Sequence, residues 1–148
     1  MNEHCTSSQH PKWFGLAVQA IVFLSRERVC TTCPSVEIAG YLQTEPSLLR
    51  RVLAVLAKEG FIETREGRDG GYRLRRSPDS IQLAEVYDVF RAGSRICLGI
   101  TETAGDHPFG VSMKSVFEEI TQEMDDRMRE VLAKITIADL IERLKVSV

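Results

Sequence analysis

Pro46-Ser47-Leu48-Leu49-Arg50-Arg51-Val52-Leu53-Ala54-Val55-Leu56, running on to Gly60, is followed by Phe61-Ile62-Glu63-Thr64-Arg65-Glu66-Gly67-Arg68-Asp69-Gly70-Gly71-Tyr72-Arg73-Leu74. In the first half, Leu49, Val52, Leu53 and Leu56 recur at i, i+3, i+4 and i+7, the spacing of one buried helix face. Ser47, Arg50, Arg51 and Ala54 are left on the other side. Pro46 suits a first helical position, and Gly60 suits a left-handed cap. Phe61 to Thr64 and Tyr72 to Leu74 then read as two short strands joined by a glycine turn. A helix that keeps its arginines off the apolar stripe suits a DNA major groove, and a hairpin tip suits a neighbouring minor groove.

Outward from this stretch, Ser35 is expected to cap a helix over Val36 to Leu42, with Ile38, Ala39 and Leu42 inward and Gln43-Thr44-Glu45 as the turn. An earlier helix is expected from about Trp13 to Arg26, with Phe14, Ala17, Val18, Ile21, Val22 and Leu24 as its apolar face. Val29 to Thr31 could form a short strand. Ser80 is expected to cap a helix over Ile81 to Phe90. The fold class is therefore mainly α with a small β wing: a winged helix-turn-helix domain plus a long C-terminal helix.

That long helix is expected over about Ser112 to Lys134. Met113, Val116, Phe117, Ile120, Met124, Met128, Val131 and Leu132 form a stripe that a small winged domain cannot cover alone. A second copy of the chain is the natural partner, with Val116, Ile120, Met124 and Val131 as dimerisation residues. Thr136, with Asp139 placed for a capping box, should start a last helix over Ile137 to Val146. The expected division is 1–11 as a tail, 12–91 as the DNA-binding domain, 92–111 as a sensor-type loop, and 112–148 as the dimerisation and C-terminal helices.

With 148 residues and 43% hydrophobic content, the chain can bury one sizeable core. Its net charge of -2 looks unsuited to DNA until it is divided. Ser47 to Arg76 holds eight Lys/Arg against four Asp/Glu, whereas Thr101 to Val148 holds six against ten. A basic middle and an acidic tail suggest two tasks. No apolar run reaches the roughly 18 residues of a membrane span, and the polar start is read as neither signal nor anchor. A cytoplasmic location is expected.

The chemistry-bearing residues are few. Cys30-Thr31-Thr32-Cys33 is a Cys-x-x-Cys, but it lacks the βαβ setting of a thiol–disulfide site and a second pair for zinc; His4, Cys5 and His10 are the only nearby candidates. Packing of two small apolar residues is the plainer reading. Trp13, Phe14 and the methionines are read as core and dimer seam rather than as a cavity lining. No catalytic constellation can be assembled, so the chain is expected not to be an enzyme.

Ser35 to Ala39, Leu53 to Phe61, Gly67 to Leu74 (Gly-Arg-Asp-Gly-Gly-Tyr-Arg-Leu), Ile81 to Val86 and Ile135 to Leu140 occur in the order seen in Rrf-two family transcriptional regulators, which this chain resembles over about residues 12 to 140. That family includes an iron–sulfur assembly regulator, a nitric-oxide-sensing repressor and a cysteine-metabolism repressor. The resemblance implies a homodimer on a near-palindromic promoter site of double-stranded DNA. Ser35, Ser47, Arg50, Arg51, Arg65, Arg68 and Arg73 are the candidate DNA-binding residues. Whether Arg50 or Arg51 reads a base or clamps a phosphate is left open.

Two departures from the family stand out. Members commonly carry Arg before the first wing glycine, where this chain has Glu66. Cluster-binding members place three cysteines in the sensor loop, where this chain has only Cys97, with His107 near the place of the last. No cofactor and no metal site are therefore expected, and Cys97 and His107 are kept as possible sensor residues for a redox or small-molecule signal. The expected function is a sequence-specific regulator, a homodimeric repressor. The alternatives are a protein-interaction adaptor on the same fold, or a thiol–disulfide protein using Cys30 and Cys33.

Overall fold

The computed structural model describes residues 11–26, 32–92 and 94–146. Among them seven helices and one hairpin follow in the order α1 (Pro11–Arg26), α2 (Ser35–Leu42), α3 (Pro46–Lys58), β1 (Ile62–Arg65), β2 (Gly71–Leu74), α4 (Leu83–Phe90), α5 (Ser94–Thr101), α6 (Pro108–Ala133) and α7 (Ile137–Val146). A 3₁₀ turn, Pro78–Ser80, precedes α4. The core is built from α1 to α4 and closed from the far side by α7. Ala17, Ile21, Ile38, Leu49, Val52, Leu53, Leu56, Ile81, Val86 and Phe90 are its most deeply buried members.

α3 obeys its sequence. Leu49, Val52, Leu53 and Leu56 are all fully buried, and burying each such side chain is worth about 1.5–3 kcal/mol. Arg50 and Arg51 are exposed on the opposite face. Gly60 takes the left-handed backbone, φ 83°, which a β-carbon would disfavour, and so turns the chain from α3 into β1.

The hairpin pairs Ile62 with Leu74, Glu63 with Arg73, Thr64 with Tyr72 and Arg65 with Gly71. A two-stranded ribbon is weak alone, and here a third segment supports it. The backbone of Cys33 both donates to and accepts from Tyr72, at 2.9 and 2.8 Å. Gly71 sits so close to this segment that a β-carbon would lie 2.5 Å from the Cys33 carbonyl. The glycine is thus required by contact with the chain just ahead of α2. Cys33 itself is buried, its Sγ 3.5 Å from a Glu37 carboxylate oxygen. It packs as a small core residue with a structural backbone. Cys5, Cys30, His4, His10 and the expected strand at Val29 to Thr31 lie outside the described residues.

Several helix starts differ from expectation. Pro34, not Ser35, is the residue before α2, and Ser35 makes no side-chain cap. Ser80 does not cap α4 either, because its hydroxyl donates to the Ser77 carbonyl inside the 3₁₀ turn. The cap of α4 is Gln82, with Glu85 bonding back to the Gln82 amide at 3.0 Å. Arg76 meets Glu85 at 3.0 Å, and the two contacts hold the Glu85 carboxyl below its ordinary range, Arg76 contributing most. The capping box of α7 is as expected: Thr136 accepts from the Asp139 amide at 3.1 Å, and Asp139 accepts from the Thr136 amide at 2.9 Å.

The interval 92–111 is not a bare loop. Ser94–Thr101 form α5, which packs along α6, and α6 begins at Pro108 rather than near Ser112. The short apolar set of Ile96, Cys97 and Ile100 is too brief to register as a period. His107 caps α6: its Nδ1 accepts from the Gly110 amide at 3.0 Å.

α6 is joined to the core by polar contacts that no local pattern would reveal. Tyr87 on α4 donates to Asp125 on α6 at 2.6 Å. Burial, reinforced by this carboxylate, pushes the Tyr87 hydroxyl well above its ordinary range, so it stays a neutral donor. Arg129 spans the same gap, 2.7 Å from Asp88 on α4 and 3.2 Å from Asp125. Beyond α6 the chain returns to the core through Leu83 N–H to Ile135 and Ile137 N–H to Ile81, and Ile137 is fully buried.

Candidate nucleic-acid interface

The turn between α2 and α3 is tight because Gln43 adopts the left-handed conformation and its amide closes α2 onto Ala39 and Gly40. α3 then starts at Glu45-Pro46, both exposed, while Leu48 and Leu49 of the same turn pack on the core. Ser47 lies at this end, with its hydroxyl bonded to the Glu45 carboxylate. That bond draws the Glu45 carboxyl below its ordinary range. Sequence reading overlooked Glu45, whose charge stands beside Ser47 at the end of the helix best suited to a groove. A carboxylate there can accept from a cytosine amino group but repels phosphate.

Arg50 and Arg51 project from the exposed face of α3, and Arg50 has no ion-pair partner among the described residues. Arg51 lies within the field of Glu45. A planar guanidinium on a solvent-facing helix can grip a guanine edge or a phosphate in bidentate fashion. Ser35 begins α2 beside the wing anchor at Cys33 and is half-buried.

The wing is less basic than its arginines suggest. From Ile62 to Leu74, Arg65, Arg68 and Arg73 are matched by Glu63, Glu66 and Asp69, so the hairpin carries no net charge. Arg73 is the most compromised, since the cross-strand register sets it against Glu63 and the two form an ion pair. Arg65 and Arg68 are exposed without an ion-pair partner among the described residues. The basic character of the region therefore rests on α3 and on Arg75, which is exposed next to β2. Arg76 is committed to Glu85 and lies over the Phe61 ring.

The wing tip is held by Thr32, whose hydroxyl donates to the Asp69 carbonyl. With Gly70 folded over the Arg65 carbonyl, this fixes the turn that presents Arg68. Thr32 and Cys33 were legible only as part of a Cys-x-x-Cys; their role as wing anchor depends on a contact nearly forty positions away.

The two possible sensor residues are not brought into a common site. Cys97 is half-buried against α6, its Sγ 3.7 Å from the Thr121 carbonyl, and His107 is spent on its cap. Among the described residues, no group of three His, Cys, Asp or Glu side chains could hold a metal ion. An iron–sulfur cluster needs about four thiolate-class ligands, and this donor set does not fit one. The four residues expected at a dimer seam, Val116, Ile120, Met124 and Val131, share one face of α6 and are 39 to 59% exposed. No described helix is long and apolar enough to cross a membrane.

Known proteins resemble this arrangement. A family model described as Rrf2, iron-dependent transcriptional regulator, matches residues 12–143. The transcriptional regulator NsrR of Bacillus subtilis strain 168 is 31% identical over 70 residues, which is 47% of this chain and 48% of that protein. YffB of Lactococcus lactis, classed by inference as an HTH-type transcriptional regulator, is 20% identical over 128 residues, 85% of this chain and 82% of that protein. Among solved structures, IscR of T. potens aligns with a TM-score of 0.63 at 26% identity, over 89% of this chain and 85% of that one. The family and these relatives are regulators, not enzymes.

The charge pairing in the wing makes a graded expectation. Arg51→Ala should lower the slope of log affinity against log salt by about one unit, the change produced by removing one phosphate-binding cation. Arg73→Ala should change it by less than half as much, because Glu63 already neutralises that guanidinium. Fluorescence anisotropy on a promoter duplex across a salt series measures both. An Arg73→Ala effect equal to that of Arg51→Ala would rule out the pairing as the deciding factor.

Proposed function

This chain belongs to the Rrf2 family of DNA-binding transcriptional regulators, and from that footing we propose that it is a homodimeric, cytoplasmic repressor that occupies a near-palindromic promoter site. The observation that carries the proposal is the division of α3: four fully buried apolar side chains on one face, and Arg50 and Arg51 exposed on the other. In this reading Ser47, Arg50 and Arg51 enter the major groove, with Glu45 able to take a cytosine edge. Arg65 and Arg68 flank the wing tip and reach the adjacent minor groove, and Ser35 lies close to the backbone between them. Arg73 steadies the wing through Glu63 rather than holding DNA.

The dimer follows from α6. Val116, Ile120 and Met124 recur every four residues and Val131 continues the same face, all open to solvent in one chain. Pairing two such helices buries both stripes and fixes the spacing of two copies of α3, as a two-fold operator requires. Repression then needs only occupancy of promoter DNA. The reading uses no iron–sulfur cluster, since Cys97 and His107 are engaged separately.

Four outcomes are expected. Replacing both Arg50 and Arg51 with Ala should weaken promoter binding by about 1–3 kcal/mol for each base-reading arginine removed; a gel shift at near-physiological salt that leaves the double variant equal to wild type would sink the assignment. Sedimentation equilibrium should give about twice the 16.6 kDa chain mass at micromolar concentration. Ile120→Glu should shift the protein to monomer while far-ultraviolet circular dichroism stays unchanged, and a wild-type monomer would refute the α6 seam. Protein purified without oxygen should lack iron, acid-labile sulfide and visible absorbance; stoichiometric iron and sulfide would overturn the cluster-free reading.

A further inference from the structure

Away from the arginine face and the α6 stripe, an open apolar groove of about 360 Å³ runs between α1, α2 and α7. It is separate from the larger groove of about 510 Å³ between α1, α4, α5 and α6, which includes Val131 and so belongs with the seam between subunits. Val22 and Leu140 line the α1–α2–α7 groove from the core side, and Leu144 and Tyr41 are open at 45% and 64% exposure. The Tyr41 ring lies against Phe23 with centroids 4.6 Å apart, a flat apolar wall. Among the described residues only two charged side chains line it, Arg26 from the end of α1 and Arg143 from α7, and both are cations.

An apolar trough bordered by two guanidinium groups, with no carboxylate among its described lining residues, selects an apolar body carrying an anionic head. A carboxylate is the head that guanidinium groups bind in bidentate geometry. Asp139, on the same helix, acts on Arg143 electrostatically, so an incoming carboxylate shares that guanidinium, whose five donors allow it. The volume is that of a small-molecule site.

The position of the groove gives an occupant leverage. Leu42, the last residue of α2, lines it, and the next residue is Gln43, whose left-handed backbone turns the chain into α3. The opposite wall is α7, which is carried by the end of α6. A molecule bridging these walls favours one spacing of α2 against α7 over others and so shifts the population toward it.

We propose that the groove between α1, α2 and α7 is an effector site for a small apolar carboxylic acid, about ten to fifteen non-hydrogen atoms, whose binding changes the affinity of α3 for DNA. The ligand site stands on the groove itself; its regulatory consequence rests on the DNA-binding reading.

The test begins without DNA. The full chain is titrated calorimetrically with decanoate and with naphthoate, and with decanol and naphthalenemethanol as neutral counterparts. At least one acid should bind with Kd below about 1 mM. A double variant, Arg26→Gln with Arg143→Gln, should weaken that acid by roughly tenfold or more while leaving its neutral counterpart unchanged. Absence of binding by both acids, or undiminished binding to the variant, overturns the site. In the second arm promoter affinity is measured with and without saturating acid. A several-fold change is expected, and an unchanged affinity overturns the effector role. Failure to bind DNA even without acid would count against the DNA-binding reading alone, because the titration requires no DNA.

Discussion

Burial of one helix face governs what this protein can offer to DNA. Leu49, Val52, Leu53 and Leu56 have no solvent exposure, so α3 cannot rotate without exposing apolar surface worth several kcal/mol. That rotation lock keeps Arg50 and Arg51 outward. It also sets the exit of the chain through Gly60, and hence where the hairpin starts. A core this closely packed does not deform gradually, which makes the geometry of the exposed face reproducible from one molecule to the next.

The wing depends on a different force. Its two strands are too short to be stable as an isolated ribbon, and they persist because Cys33 extends the ladder by a pair of backbone hydrogen bonds. Gly71 permits this approach and Thr32 secures the tip. The segment ahead of α2 thus joins the wing to the helix-turn-helix. One ion pair, Glu63 with Arg73, lies within the wing, while Arg65 and Arg68 at its tip have no ion-pair partner among the described residues.

α6 is attached to this unit by few apolar contacts and several polar ones. Tyr87, Asp88, Asp125 and Arg129 form a network across α4 and α6 in which each group has a partner. Such networks are directional, and they hold α6 at one angle while its outer stripe stays exposed. α4 thus lies between the helix-turn-helix core and α6. α7 closes the same circuit from the other side, by the bridge between Gln82 and Thr136.

Much of this was legible in the chain alone. The helix period of Leu49 to Leu56, the glycines of the turn and the capping box at Thr136 are local patterns, and local patterns suffice for elements, for the exposed basic face and for the unpartnered stripe of α6. What failed was of two kinds. Residue type alone does not locate a cap: no side chain caps α2 at Ser35, and Gln82 rather than Ser80 caps α4. α5 escaped notice because its apolar set spans barely two turns between glycines. By itself the sequence determined the secondary elements other than α5 and the first turn of α6, and which face of each is apolar, because these follow from spacing of three or four residues. Only the tertiary structure decided that Cys33 anchors the wing, that Arg73 pairs with Glu63, that Cys97 and His107 stand apart, and that two arginines border one apolar groove. Those facts depend on which segments distant in the chain come to lie side by side, and no local period encodes that.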